Sequence, residues 1–353
     1  MVKLKSFFAR SEVRNTLIAL GVIVIFTIAL DLAGGDTGRR VLNDIFVILT
    51  APEFVMAALI ATTPLLLAAL GGLVSELSGV LNMALESMML IGAFVAYAVS
   101  EHLGNPWYGL IAAALAGMLV GLVHAIFTIT LRSNQVVSAV ALNLFAVAAT
   151  ALGFRVLYID KTFASAPGFE ALHFPILSDL PYIGKALFQH NIIIYLALLL
   201  IPVMWFILYK TSWGQTLRSV GEHPMAASTV GINVNRVRYI AVLLSGAIVG
   251  ISGSALISAS GINAFQENFS AGRGFIAFSA VVFGRYNPIG IFLGTILFGL
   301  GDAFQIRLQA YGVEVPYQLL LMLPYLITLI ALVSFMRNSR GPAASGTPFL
   351  KEG

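Results

Sequence analysis

The chain has 353 residues, of which 59% are hydrophobic and only 10% are Asp, Glu, Lys or Arg. Soluble domains carry roughly 25% charged residues, so this composition excludes a soluble globular protein and indicates an integral membrane protein. The net charge of +4 arises from basic residues between apolar runs, which indicates membrane topology and no nucleic-acid partner. The lack of cysteine excludes disulfides, thiolate metal sites and a cysteine nucleophile.

The N-terminal region is a basic segment followed by an apolar run. Residues 1–15 carry several Lys and Arg and predict a cytoplasmic segment. Residues 16–30 predict a retained first span, because no small-residue cleavage site of a signal peptide follows them. Residues 31–53 form a mixed, partly polar connection, in which 45–50 are expected at the membrane interface.

The rest of the chain alternates between apolar runs and short polar connections, which predicts an all-α, polytopic helical bundle of about ten spans, within a range of eight to ten. A single transmembrane domain, 16–336, holds them, with a long external loop at 155–191 and a cytoplasmic tail at 337–353. The run 274–285 is too short to cross ~30 Å of hydrocarbon. The predicted spans are 16–30, 54–73, 80–99, 108–131, 136–154, 192–209, 239–259, 274–285, 288–306 and 316–336.

Two stretches with glycines and polar residues, 71–87 and 260–274, interrupt the apolar sequence and predict broken or re-entrant helices. Each is followed by an Asn-Pro pair, Asn105-Pro106 and Asn287-Pro288, with a glycine at matching distance beyond. A tandem internal repeat with a period of about 180 residues would explain this, while chance similarity of Gly-rich spans is the alternative. GxxxG spacing predicts close helix packing at Gly117–Gly121, Gly246–Gly250 and Gly290–Gly294.

A polar segment, 210–238, joins two apolar runs. It contains Lys210, Arg218, Arg236 and Arg238 against the single acid Glu222, and this excess of positive charge predicts a cytoplasmic loop. Within this loop, a proline at 224 and a glycine at 231 predict the start and the left-handed end of one short helix of about two turns.

Two motifs resemble those of a transporter family. The stretch TSWGQTLRSVGEHPMAASTVGI, residues 211–232, resembles the cytoplasmic coupling loop of ABC-importer permeases of the nucleoside and simple-sugar class. The stretch GGLVSELSGVLNMALESMMLIGAF, residues 71–94, resembles the signature of the nucleoside-type permeases in this ribose-type, branched-chain-amino-acid-like inner-membrane family. Leu77 stands where the family usually has Arg, and Ser87 where it usually has Gly.

The resemblance implies a permease subunit of an ATP-driven importer for nucleosides or related simple sugars, in a bacterial inner membrane. The nearly two-to-one excess of Lys and Arg on the inner side of the predicted spans predicts that both termini are cytoplasmic. The resemblance implies three partners besides membrane lipid: an ATP-binding subunit, a second and different permease chain, and an extracytoplasmic substrate-binding lipoprotein. ATP would be bound by the partner, so no cofactor is expected in this chain. The residues implied in coupling to the ATPase are Arg218, Gly221, Glu222, Pro224, Ala226, Ala227 and Gly231.

Candidate residues for the substrate path are four polar residues within apolar segments: Asn82, Glu86, Ser138 and Asn143. If a helix starts at Val80, Asn82 and Glu86 lie on one face, where they could hydrogen-bond a ribose hydroxyl or a base edge. Glu86 could instead satisfy backbone groups at the broken helix or pair with a cation. Ser138 and Asn143 could equally be interhelical hydrogen-bonding groups.

Enzymatic function is not expected. The sequence has no G-x-x-x-x-G-K-[ST] phosphate loop, no HExxH or G-x-S-x-G motif, and no metal-ligand spacing among its histidines, so we predict no catalytic or metal-binding residues. The alternative function is an ion-coupled secondary transporter of small polar solutes, for which Glu86 is the clearest ion-binding acid. A non-transporting membrane scaffold is a third class, for which broken polar segments would be needlessly costly.

Overall fold

The computed structural model describes residues 35–158, 165–258, 263–311, 322 and 340–350. Regular structure in these ranges is helical, apart from an isolated antiparallel bridge between Ala171 and Asn191. The helices are α1 (Gly35–Thr50), α2 (Pro52–Leu77), α3 (Leu85–Leu103), α4 (Pro106–Ala125) with a π-helical turn (Ile126–Thr130), α5 (Gln135–Tyr158), α6 (Ile183–Leu187), α7 (Ile192–Lys210), α8 (Ser212–Glu222), α9 (Pro224–Thr229), α10 (Val234–Ser258), α11 (Arg273–Phe283) and α12 (Pro288–Ala310).

The chain divides into two compact units, and the candidate site lies wholly in the larger one. This larger unit comprises residues 60–172, 190–296 and 340–353. Its centre is formed by α3, α4 and α10, which pack against one another, while α5 and α11 pack against α3.

Glycines bring the backbones of the three central helices into direct contact. A Cβ atom added at Gly117 of α4 would lie 2.7 Å from Cα of Gly250 in α10, and one added at Gly92 of α3 would lie 2.6 Å from the Gly250 carbonyl oxygen. No side chain larger than hydrogen fits at such a crossing. The predicted close packing is therefore confirmed for Gly117–Gly121 and Gly246–Gly250, which face each other. In the third motif, Gly290 packs against the turn at Gly284 instead.

The larger unit contains a cluster of aromatic rings that joins α3 and α5 to the loop before α11. Tyr97 lies 5.1 Å from Tyr158 and 6.2 Å from Phe265, measured between ring centroids. Beside this cluster, the exposed Arg155 and Glu267 form a two-point ion pair with N–O distances of 2.7 and 3.1 Å. The hydrogen bond from Arg155 lowers the pKa of Glu267 below its ordinary value.

The smaller unit comprises residues 1–59, 173–189 and 297–339. Its described part has an apolar cluster that joins α1, the start of α2 and α12, with buried members Ile48, Phe54, Ala58, Ala303 and Leu308. The guanidinium of Arg307 donates to the carbonyl of Glu53 at 3.1 Å.

Six described helices are long and apolar enough to cross a membrane: Pro52–Leu77, Pro106–Thr130, Gln135–Tyr158, Ile192–Lys210, Val234–Ser258 and Pro288–Ala310. The predicted spans 16–30 and 316–336 lie outside the described residues apart from residue 322, so about ten spans is not confirmed. The predicted span 80–99 is α3, which starts later because the preceding break runs to Ala84. The segment predicted at 274–285 is α11, whose eleven residues extend about 16 Å, roughly half of the hydrocarbon thickness.

The two Asn-Pro pairs begin helices in the same way. The side chain of Asn105 accepts a hydrogen bond from N of Trp107 at 2.9 Å at the start of α4, and Asn287 accepts one from N of Ile289 at 2.9 Å at the start of α12. This local match agrees with a tandem repeat, which stays a prediction because two caps do not establish a duplication.

Candidate functional site

The candidate site is built around the break between α2 and α3, residues 78–84, which we call the helix break. The α2 helix ends in tight turns, in which N of Gly79 donates to the carbonyl of Glu76 at 2.9 Å and the hydroxyl of Ser75 donates to the carbonyl of Val80 at 2.9 Å. Gly79 has a φ of +84°, a left-handed conformation that favours glycine. The run Ser-Gly in an apolar sequence therefore stops the helix.

Polar side chains satisfy the backbone groups that the helix break exposes. One carboxylate oxygen of Glu76 accepts from N of Asn82 at 2.9 Å, and the Asn82 amide in turn donates to the hydroxyl of Ser245 in α10 at 3.1 Å. Glu76, Asn82 and Ser245 are each at most 1% exposed. Non-helical backbone at membrane depth is tolerated only with such partners, so these side chains make the break possible.

A second group of side chains binds the middle of the helix break at Leu81. The side-chain oxygen of Gln135 accepts from N of Leu81 at 2.6 Å, and Nε2 of His124 lies 3.3 Å from the Leu81 carbonyl oxygen. Nδ1 of His124 lies 3.2 Å from the hydroxyl of Ser138. Ser138 is therefore connected to the helix break indirectly, because His124 contacts both its hydroxyl and the Leu81 carbonyl.

Asn143 of α5 spans the last part of the break. Its side-chain oxygen accepts from N of Ser87 at 3.0 Å, and its amide group donates to the carbonyl of Met83 at 3.1 Å. In a continuous helix, N of Ser87 would donate to the carbonyl of Met83, and the Asn143 side chain instead bonds to both ends of this one missing hydrogen bond.

Glu86, in the first turn of α3, connects this break to the second interrupted stretch. Its Oε1 accepts from the hydroxyl of Ser270 at 2.5 Å and from N of Gly272 at 2.8 Å, while Oε2 accepts from N of Gly274 at 2.7 Å. Free N–H groups at a helix N-terminus favour a negative partner. Glu86 therefore caps α11, and the starts of two interrupted helices meet at its carboxylate.

The structure brings the four predicted path residues together at the helix break and at the start of α11. They are Asn82, Glu86, Ser138 and Asn143. Every one of them is bonded to another protein group, as in the alternative in which Glu86 satisfies backbone groups at a broken helix. A contact with cargo stays a prediction for all four. The sequence analysis did not assign the partner groups Ser245 and Ser270 to the site, because isolated serines carry no distinguishing pattern.

The polar segment between α7 and α10 forms two helices, α8 and α9, which we call the coupling helices. The prediction of one short helix was wrong in number, although α9 does start at Pro224 and Gly231 does turn left-handed with a φ of +89°. The additional helix α8 starts at the cap residue Thr211, whose side chain accepts from N of Gly214 at 3.2 Å. Its apolar positions Leu217 and Val220 are three apart and fully buried, the spacing that could have predicted this helix.

The α8 residues predicted to take part in coupling differ in exposure. Arg218 is partly buried, with its guanidinium carbon 4.9 Å from the ring centroid of Tyr209. Glu222 is exposed at the end of the helix. Gly221 is buried because α8 ends against the end of α2: a Cβ atom at Gly221 would lie 3.0 Å from the carbonyl carbon of Leu77.

The α9 residues predicted to take part in coupling divide between two faces. Ala227 is 4% exposed and belongs to an apolar cluster with Val220 and Val234, so this face of α9 packs inward. Ala226 and Gly231 are exposed, and Pro224 is partly buried. Two apolar side chains next to them are exposed as well, Met225 by 42% and Val230 by 76%.

The geometry therefore places the end of the first coupling helix, α8, directly against a break in an apolar helix. The family model described as the branched-chain amino acid transport system permease component matches residues 54–332 of this chain. The chain belongs to this family. Both the helix break and the coupling helices of this permease lie inside the matched range.

Curated relatives cover most of the permease. It is 39% identical over 309 residues to the guanosine ABC transporter permease protein NupQ of Bacillus subtilis, which covers 84% of this chain and 96% of that protein. It is 37% identical over 314 residues to the nucleoside ABC transporter permease protein NupC of Lactococcus lactis, covering 86% and 99%. It is 41% identical over 254 residues to the putative glucose ABC transporter permease protein TsgC13 of Haloferax volcanii, covering 71% and 76%. No solved structure matches the chain significantly.

Proposed function

We propose that this permease forms the translocation path of an ATP-driven importer for nucleosides or chemically related simple sugars, and that a separate ATPase drives it through the coupling helices. One observation carries the proposal: the buried end of α8 lies against the end of α2, where the helix break begins. A subunit bound to α8 and α9 would therefore act on the break without any intervening element.

The exposed surface of the coupling helices supports a protein partner. Met225 and Val230 are exposed in a segment whose charged residues place it in water. A short helix that packs one face inward and exposes a large apolar side chain on the other, as α9 exposes Met225, is suited to insertion into a groove of another protein. The residues proposed for this contact are Arg218, Glu222, Pro224, Ala226 and Gly231, and the buried Gly221 and Ala227 are proposed to hold the two coupling helices in position behind it.

The cargo is proposed from the relatives, two of which are named for guanosine or nucleosides and one for glucose. Asn82, Glu86, Ser138 and Asn143 would shape the path by holding the helix breaks in place. We further propose a second, different permease chain and an extracytoplasmic binding protein as partners, and a bacterial inner-membrane location with both chain termini cytoplasmic.

The test compares two apolar-to-acidic substitutions at equally exposed positions. Met225 in α9 is 42% exposed, and Leu180, in the segment predicted to lie on the other side of the membrane, is 43% exposed. We expect Met225→Asp to abolish co-purification of the ATPase in mild detergent and ATP-dependent uptake of labelled guanosine, while Leu180→Asp preserves both.

Two results would contradict the proposal. One is an ATPase that binds wild type and Met225→Asp equally well. The other is uptake that survives ATP depletion but collapses with an ionophore, which would identify an ion-coupled transporter. Guanosine and glucose are compared as labelled cargo in the same proteoliposomes, so that the substrate class is tested separately from the energy source.

A further inference from the structure

Residues 341–349, which we call the C-terminal strap, lie across the end of the first coupling helix. N of Ala344 donates to the carbonyl of Gly221 at 2.9 Å, and N of Ala343 donates to the carboxylate of Glu222 at 3.3 Å. The last turn of α8 has carbonyl and carboxylate oxygens that the helix itself does not satisfy. The strap supplies donors to these groups, so it is bound to α8 by direction-specific contacts.

The same strap is bound to the helix break. N of Gly346 donates to the carbonyl of Gly79 at 3.3 Å, and the hydroxyl of Ser345 donates to Oε2 of Glu76 at 3.4 Å. The other oxygen of this carboxylate accepts from N of Asn82 at 2.9 Å. Glu76 therefore connects the strap to the backbone of the helix break through a single side chain.

Arg238, near the start of α10, adds a third connection. Its side chain is 1% exposed, although it carries a guanidinium group. Nε donates to the carbonyl of Ser78 in the helix break at 3.2 Å, and Nη1 donates to the carbonyl of Thr347 in the strap at 3.0 Å. Burying a cation is costly unless it is hydrogen-bonded, so these two carbonyls hold the strap and the break at one fixed distance.

The far end of the strap reaches the second coupling helix. Phe349 packs against the buried cluster of Val220, Ala227 and Val234, which joins α8, α9 and α10. A cavity of about 380 Å³ opens beside it, and Ser228 and Gly231 at the end of α9 line this cavity together with Phe349. Leu350, just beyond the strap, is 57% exposed. Any protein that covers α9 would also meet this end of the strap.

We propose that the C-terminal strap transmits the movement of the coupling helices to the helix break. This inference rests on the proposed function, since it needs an ATPase on α9. Ala344 of the strap binds α8, and the next two residues, Ser345 and Gly346, bind Glu76 and the helix break. A displacement of α8 is therefore expected to displace Ser345 and Gly346 as well. The exposed residues Met225 and Ala226 of α9 remain in place without the strap, so assembly with the ATPase is expected not to require it.

The experiment uses the whole transporter, co-expressed with its ATPase, its partner permease and its binding protein, and reconstituted into proteoliposomes. Replacing the codon of Arg340 by a stop codon removes the strap. The matched control, a stop codon at Lys351, removes only the three residues beyond Leu350. A second variant, Ala344→Pro, removes the N–H that binds Gly221 and leaves the rest of the strap in place. The readouts are ATPase co-purification, ATP hydrolysis and labelled guanosine uptake.

We expect the ATPase to co-purify with all variants. Guanosine uptake per ATP hydrolysed is expected to fall about tenfold in the chain that ends at residue 339, a size usual for coupling between two sites. It falls in the same direction in Ala344→Pro and stays unchanged in the Lys351 control.

Two results would overturn the proposal while leaving the proposed function standing. One is unchanged uptake per ATP in both the shortened chain and Ala344→Pro. The other is loss of the ATPase from both, because the strap would then serve assembly and not transmission. If the shortened chain is not monodisperse on gel filtration, Ala344→Pro alone decides. Failure of the full-length transporter to take up either guanosine or glucose with ATP would instead overturn the proposed function, and this inference with it.

Discussion

The Glu86→Gln substitution replaces one oxygen of the carboxylate that caps α11 by an amide nitrogen. Glu86 accepts bonds from the hydroxyl of Ser270 and from N of Gly272 and Gly274. A glutamine keeps one oxygen for the first two donors, but its NH₂ group then faces the N–H of Gly274, where Oε2 accepts at 2.7 Å. Two donors cannot bond to each other, so that hydrogen bond is lost and a buried N–H is left unsatisfied.

The loss can be estimated from its parts. A hydrogen bond to a charged group contributes about 1.5–3 kcal/mol. The interaction of a carboxylate with a helix N-terminus adds about 0.3–1 kcal/mol. We therefore expect Glu86→Gln to lower the free energy of unfolding by about 2–4 kcal/mol, which corresponds to a fall in Tm on the order of 4–8 °C at roughly 2 °C per kcal/mol.

The assay is thermal unfolding of the purified permease in one detergent. The matched control is Glu267→Gln, the same chemical change at an exposed ion pair with Arg155 whose side chains are 44% and 70% exposed. Exposed pairs contribute little, so the control is expected to unfold within about 2 °C of wild type. Equal Tm values for Glu86→Gln and wild type would refute the argument that this carboxylate holds the two interrupted helices together.

Three further predictions concern packing, charge and the helix break. Gly250→Ala adds a methyl group where a Cβ atom would lie 3.2 Å from Cα of Ala114 and closer still to the Ala113 backbone. We expect this substitution to lower the free energy of unfolding by about 1–3 kcal/mol. Gly294→Ala, where the nearest atom to an added Cβ lies at 3.8 Å, is the matched control in thermal unfolding. The ion pair with Arg155 lowers the pKa of Glu267 in the folded protein, so the stability that the pair contributes is present above the pKa of an unfolded Glu and is lost as the pH falls through the lowered pKa. The Tm difference between wild type and Glu267→Gln is therefore expected to vanish in acid. A Tm difference that grows in acid would contradict this direction of the pKa shift. Asn143→Ala leaves N of Ser87 and the carbonyl of Met83 without a hydrogen-bond partner, and we expect it to lower the free energy of unfolding by about 2–4 kcal/mol. The control Asn105→Ala removes only a helix cap and is expected to lower it by about 1 kcal/mol. Similar Tm shifts for the two variants would contradict the role of Asn143 at the helix break.

Patterns local in sequence were predictable. The proline before Met225 and the glycine after Val230 defined α9, since each acts on the backbone of its own residue. The GxxxG spacing at Gly117–Gly121 and Gly246–Gly250 predicted close helix packing at both motifs, although it did not indicate that the two face each other. The glycines and polar residues at 71–87 indicated the position of the helix break. They do so locally, because backbone groups exposed in an apolar segment need polar side chains close by.

Contacts between distant segments were not predictable. Glu86 and Gly274 are separated by 188 positions, and nothing in either residue indicates the other. The α8 helix was missed because the basic residues of its segment were interpreted through membrane topology, while the buried pair Leu217 and Val220 was not weighed. The strap is a short run of small residues after the last predicted span, and small residues carry no periodicity from which packing can be inferred.

The glycine crossing of α3, α4 and α10 has a consequence for motion. Side-chain interfaces can rearrange by changing rotamers, but a crossing in which Gly92, Gly117 and Gly250 bring backbone against backbone has no side chains to rearrange. Such a contact is either intact or separated, with no graded states between. The three helices are therefore expected to move as one rigid body during transport.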